Sequence, residues 1–92
     1  MIDKLRNLGK ASASMLKKAG ITTEEQLQNI GAARAYVTVK QTGCSPSLNL
    51  LWALEGALTD RDWKVVAKDN RLSLLIQAEE LEKKFPNKKT GI

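Results

Sequence analysis

Two stretches of the chain share a pattern that could do chemistry. Leu5-Arg6-Asn7-Leu8-Gly9-Lys10-Ala11-Ser12-Ala13 recurs twenty-two positions later as Leu27-Gln28-Asn29-Ile30-Gly31-Ala32-Ala33-Arg34-Ala35, so both copies read Leu-x-Asn-aliphatic-Gly-x-Ala-x-Ala. Asn and Gly tolerate the left-handed backbone that a sharp reversal needs. Each copy therefore reads as a helix ending at a corner, with an Ala-rich helix beginning just after it. The first amides of that second helix have no partner within it and point outward beside a glycine, which suits them to a phosphate. In the first copy Arg6 and Lys10 flank the corner, and Lys17 and Lys18 follow one helix later. Arg6, Asn7, Leu8, Gly9, Lys10, Lys17 and Lys18 are thus the candidate nucleic-acid-binding residues. The second copy has Ala32 in place of Lys10, which makes the first corner the better candidate. Against this stands the reading in which both corners are purely structural.

What the chain lacks narrows the chemistry further. It contains no histidine, which removes Ser-His and Cys-His nucleophile pairs and the commonest metal-binding side chain. Its single cysteine, Cys44, has no imidazole to activate it and is expected to be a half-buried structural residue. No zinc-spaced cluster, phosphate-loop signature or dinucleotide fingerprint is present. Glu55, Asp60 and Asp62 are the only acids near apolar segments, and turn or capping roles account for them. The expectation is no catalytic residue, no metal and no cofactor: the chain is not an enzyme.

The 92 residues carry a net charge of +5, and the charge is polarised. Residues 1 to 40 hold seven basic and three acidic side chains, residues 41 to 82 hold four and seven, and Lys83, Lys84, Lys88 and Lys89 close the chain without an acid. Two basic ends around an acidic middle fit a polyanion-binding face, and fit an ordinary solvated surface equally well. An unpaired cysteine, a polar amino terminus and the lack of any long apolar run lead to the expectation of a cytoplasmic chain that does not enter a membrane.

The elements that must position these residues are helices. Ile2 to Arg6 reads as a short helix into the first corner, and Lys10 to Ala19 as the next, with Ala11, Met15, Leu16 and Ala19 inward and Gly20 as its stop. Thr22 with Glu25, or Thr23 with Gln26, offers a capping box for a helix on which Leu27 and Ile30 face the core. Tyr36-Val37-Thr38-Val39 has strand propensity, but no other segment could pair with it, so it is read as helix. Ser45-Pro46 reads as a cap followed by a first-turn proline, and the run from Ser47 to Leu58 as a central helix buried on several sides. On it Asn49, Ala53 and Gly56 share a narrow face where another backbone could pass, and Asn49 is expected to bond to a nearby backbone corner. An acidic turn leads to Trp63 folding back over the central helix. A last helix runs from about Lys68 to Phe85, with Glu79–Lys83 and Glu80–Lys84 as i,i+4 pairs. Leu81 and Phe85 reach past the core towards a second subunit or their own. The expected fold is all-α: a compact five-helix domain with two helix-hairpin-helix-like corners around a buried central helix. Residues 1–85 form one domain, and 86–92 a flexible basic tail.

With these residues placed, the chain resembles the C-terminal domain of the TfoX/Sxy competence regulators, a small helical domain of helix-hairpin-helix or SAM-like type. The matching segments are Leu5-Arg6-Asn7-Leu8-Gly9 with Ser12, Ala19-Gly20-Ile21-Thr22-Thr23 with Leu27, Ile30-Gly31-Ala32 with Ala35-Tyr36, and above all the run Ser47 to Leu58. The resemblance spans roughly Leu5 to Leu75. It implies a bacterial regulatory protein, linked to DNA-uptake genes, and brings no catalytic site with it. Full-length members carry a further N-terminal domain, and what depends on that domain is not carried over. The first corner is also similar to the phosphate-binding hairpins of DNA repair proteins, with Leu5, Gly9, Ser12 and Ala13 matching, Asn7 replacing a glycine and Lys10 a frequent proline.

Two functions follow as expectations. The first is weak, salt-sensitive binding of duplex DNA through its backbone, because no helix is dense in base-reading side chains and the few aromatics are expected to be buried. The second is a protein-interaction or self-association domain, as a monomer or homodimer, that docks a regulatory partner.

Overall fold

A computed structural model of the chain describes residues 7–84, and the expectations for Ile2 to Arg6, Phe85 and the tail lie outside that range. Five helices follow in order: α1 (Lys10–Lys18), α2 (Glu24–Gln41), α3 (Leu48–Thr59), α4 (Trp63–Asp69) and α5 (Arg71–Lys84). The all-α expectation is met, and the described residues contain no strand. The Cα radius of gyration is 12.3 Å, close to the ~12 Å of a compact chain of this length.

Helix α3 is the centre. Leu50, Leu51, Trp52, Ala53, Leu54 and Gly56 are all buried on it, because α2 and α4 both pack against it while α5 packs on α2. Leu16, Leu27, Val37, Val39 and Val66 close the core around it. The segment with strand propensity is helical, with Tyr36, Val37 and Val39 buried. Burial against α3 and an intact helical ladder outweigh the small intrinsic preference of β-branched residues.

The start of α2 uses the second of the two capping options. Gln26 N–H donates to Thr23 Oγ1 at 3.1 Å, and the Gln26 side chain accepts from Thr23 N–H at 3.2 Å and from Thr22 N–H at 2.8 Å. At Gly31 the helix breaks: φ 81 and ψ 165 lie outside helical space. The second copy of the repeat therefore carries a kink at its glycine, and a side chain at residue 31 would be strained there. Ile30 departs from expectation, being 40% exposed where Leu27 is fully buried. The break hands the core to Ala32, Ala33 and Ala35 and turns Ile30 outward. Its counterpart in the first copy, Leu8, is buried.

Two further boundaries and the buried face of α1 differ from expectation. Helix α3 begins at Leu48 with Ser47 as N-cap, whose side chain makes no capping bond, so Ser45-Pro46 belongs to the approach and not to the helix. Ala11 is exposed and Met15 half-buried, which leaves Leu16 as the one fully buried side chain of α1. Residues from Trp63, expected only to fold back ahead of a last helix from about Lys68, form a helix of their own, α4. Asp60 ends α3 in the left-handed region (φ 54), and the Asp62 carboxylate accepts from Lys64 N–H at 2.9 Å to start α4. An Asp two residues behind a left-handed corner is a helix start in its own right.

Helix α5 buries Leu74 and Ala78 and leaves Leu72 and Ile76 facing out. Glu79 pairs with Lys83 at 3.5 Å as expected, on the solvent side. A second ion pair, Lys40 with Glu82, pins α5 to the end of α2, and Lys40 also lies 5.7 Å from the Tyr36 ring centroid. The Glu82 hydrogen bond, with its charge in support, raises Lys40 above the ordinary lysine value of 10.5 against the smaller effect of burial.

Because the folded lysine is the more basic, its contribution is complete below the unfolded value and fades as pH rises through the folded one. The stability difference between wild type and Glu82→Gln should therefore hold through neutral pH and shrink above about pH 10.5, read by urea midpoints across the alkaline range. The unequal burial of the two repeat positions gives a sharper check. Leu8→Ala should cost about 2–5 kcal/mol as a core truncation, and Ile30→Ala about 0.5 kcal/mol or less as a surface change.

Candidate nucleic-acid interface

The first corner is held by one side chain. Asn7 adopts φ 70, the left-handed region that asparagine enters more readily than other side-chain-bearing residues. Its Nδ2 donates to Arg61 O at 2.7 Å, and its Oδ1 accepts from Trp63 N–H at 3.3 Å. One amide thus satisfies a carbonyl and an N–H in the turn between α3 and α4, more than fifty residues away in sequence.

Gly56 makes this contact possible. A Cβ at position 56 would collide with both Arg61 O and Asn7 Nδ2, closer than real Cβ atoms come. The close backbone approach expected on the Asn49–Ala53–Gly56 face is present at Gly56. The residue that bonds to the backbone corner, however, is Asn7; Asn49 is exposed. The reason is positional: Asn49 stands in the first turn of α3, and the corner formed by Arg61 lies beyond the other end of that helix.

Past Asn7, Leu8 is buried and anchors the corner to the core, while Gly9 and Lys10 are exposed. Gly9 is the N-cap of α1, extended at φ −109 and ψ −167, and no side chain caps the helix. Nothing lies within 4 Å of the place a Cβ would occupy at Gly9. The first-turn amides that follow are left to solvent or to an anion. Lys10 and Lys17 are seven residues apart, two helical turns and ~10.5 Å along one face. Both are exposed, as are Lys18 and Ser14. Residues 7–18 contain no acid. Lys17 and Lys18 stand in the last turn of α1, where they also complement the negative helix end.

Of the seven candidate residues, the structure brings Lys10, Lys17 and Lys18 to one exposed helix, puts Gly9 at its open start, and uses Asn7 and Leu8 to hold the corner. Arg6 lies outside the described residues. The two corners are not copies in detail. The first places Asn7 at positive φ and Gly9 extended, whereas the second places Gly31 at positive φ. No lysine follows Gly31, and Ala32 and Ala33 are buried.

The family model for the TfoX C-terminal domain matches residues 1–78. The chain belongs to the TfoX C-terminal domain family. The match takes in the first corner, all of α3 and α4, and α5 as far as Ala78. No curated protein and no solved structure matches the chain. Among the described residues of this TfoX C-terminal domain no group of three or more His, Cys, Asp or Glu could hold a metal ion, and no helix is long and apolar enough to cross a membrane. Cys44 is half-buried against the core. Asp62 caps α4 and Asp60 ends α3, as the turn roles proposed for them require.

Sequence reasoning found Asn7 and Gly56 separately and missed their meeting. It also missed that Trp63 stays half-buried instead of covered. If Asn7 and Gly56 share one contact, their substitutions should not add. Gly56→Ala is expected to cost about 1–3 kcal/mol through the overpacked methyl, and Asn7→Gly, which keeps the backbone region, about 1–2 kcal/mol through two lost hydrogen bonds. The double variant should cost less than the two together. Urea unfolding of all four proteins decides this, and strict additivity would mean that the two residues act apart.

Proposed function

We propose that this domain is a noncatalytic regulatory module that grips the phosphate backbone of duplex DNA weakly and without regard to sequence, in transcription or competence control. Membership of the TfoX C-terminal domain family supports the regulatory part. One observation carries the rest: the uncapped start of α1 at Gly9 opens onto solvent beside Lys10, with Lys17 and Lys18 on the same exposed helix and no acid among them. The first-turn N–H groups would donate to one phosphate, and the lysines would lie along its neighbours. Such contacts carry no base information. The chain acts in the cytoplasm in this reading, where such DNA is found.

A second reading is favoured by a different surface. Leu72 is 72% exposed and Ile76 47%, one turn apart on the outer face of α5, so self-association or a regulatory protein partner would find an apolar foothold there. In that case the domain touches no nucleic acid.

The two readings separate in one pair of measurements. With about three phosphates engaged, affinity for duplex DNA by fluorescence anisotropy should fall roughly 40-fold between 50 and 200 mM salt. Lys10→Glu should weaken binding and flatten the slope. A salt-independent signal, or one untouched by Lys10→Glu, refutes backbone binding at this corner. Sedimentation of wild type beside Leu72→Asp reads the other surface: a concentration-dependent mass that the variant abolishes supports self-association.

A further inference from the structure

We propose that the recess beside the first corner seats a single unstacked nucleobase, stacked on Trp63 and held at its edge by Asn49. The inference deepens the nucleic-acid reading and rests on it for the strand that would bring the base. The recess has a volume of about 280 Å³ and lies where α1, the start of α3 and the start of α4 meet. That is just below the ~300–1,000 Å³ of sites for drug-sized ligands, so it suits one ring system and not a large cofactor.

Its lining has two chemistries. Met15, Leu50 and Ala53 form an apolar side, and the Trp63 indole, half-buried, forms an aromatic one. Ser12, Ser47 and Asn49 bring two hydroxyls and a primary amide, none of which is engaged by another described residue; Ser47, although the N-cap of α3, makes no side-chain capping bond. The amide of Asn7, which also borders the recess, is anchored at both ends, its nitrogen to Arg61 and its oxygen to Trp63. It therefore serves as a fixed wall and aligns the Trp63 backbone.

A purely apolar guest would desolvate Asn49 and the serines without return, and a small anion would leave the indole unused. A planar heteroaromatic ring with donors and acceptors on its edge satisfies both. Asparagine matches the adjacent donor and acceptor of adenine, and base–aromatic stacking is tolerant of sequence. Lys64 Nζ lies over the Trp63 ring, 5.9 Å from its centroid, so the base stacks on the indole face that the lysine does not cover. The nearest acid in sequence, Asp62, directs its carboxylate to the Lys64 N–H. A base inside a duplex is stacked and out of reach, so the guest comes from a single strand, a strand end or a free nucleotide.

The test is a titration of the full chain with a short single-stranded oligodeoxyadenylate, read by tryptophan emission, with AMP and an abasic oligonucleotide of equal length in parallel. Saturable quenching by the oligodeoxyadenylate is expected, weakened roughly 10-fold in Asn49→Ala and absent with the abasic strand. Asn49 is exposed, so the variant should keep its circular dichroism. Equal quenching by AMP supports the seat and assigns a free nucleotide as the source. No quenching by either adenine probe, or an abasic strand and Asn49→Ala both behaving as the originals do, overturns it. Duplex anisotropy of wild type and Lys10→Glu in the same buffers keeps the outcomes apart: duplex binding that is absent, or unchanged in Lys10→Glu, with retained quenching faults the corner alone, and duplex binding weakened by Lys10→Glu without any quenching faults the recess alone.

Discussion

The arrangement turns on one crowded place, where the carbonyl of Arg61 and the amide of Asn7 press against the bare Cα of Gly56. A helix interior loses about 1 kcal/mol when alanine gives way to glycine, and here that cost is offset by letting two backbones touch. The contact fixes three things together. It sets the angle at which the chain enters α1, closes the turn between α3 and α4, and brings Trp63 beside the first corner. The asparagine is suited to the task twice over, since its backbone accepts positive φ and its side chain carries both a donor and an acceptor.

This explains which parts of the molecule could be read from the chain and which could not. The central helix was legible because nearly every residue from Leu50 to Gly56 is apolar or small, a pattern that only burial on several sides can satisfy. The corners were legible because Asn and Gly announce left-handed backbone. What the chain does not announce is the choice among equivalent partners. Asn7 and Asn49 carry the same amide, and only the tertiary path of the Arg61 turn decides which one meets it. Ile30 and Leu8 occupy the same place in the repeat, yet the break at Gly31 turns one out and leaves the other in. Helix α4 was missed for a related reason: its seven residues give too short a stretch for periodicity to speak.

The candidate interface was legible in part. Lysines at 10, 17 and 18 were visible as charge, and seven-residue spacing puts Lys10 and Lys17 on one face of α1 once that helix exists. The role of Asn7 changed in kind. In the sequence it stands among the residues near a phosphate; in the structure both ends of its amide are committed to the α3–α4 turn, so any effect of Asn7 on a ligand passes through the shape of the corner. The recess was invisible, because Ser12, Ser47, Asn49 and Trp63 come from three separate helices and share no motif.

The departures between the two repeat copies bear on function more than their likeness does. Had both corners served only to turn the chain, the residue after each glycine would be free to become buried, as Ala32 is. The first copy instead keeps Lys10 in solvent on an uncapped helix start. An open helix end leaves backbone donors unsatisfied by the protein, and the second corner, whose following residues are buried, does not present its helix start in that way. The exposed lysine and uncapped helix start of the first copy are therefore what a purely structural account of the repeat leaves unexplained. It is also why the first corner, with its lysines and its neighbouring recess, is the part of this TfoX C-terminal domain to which a partner should be sought.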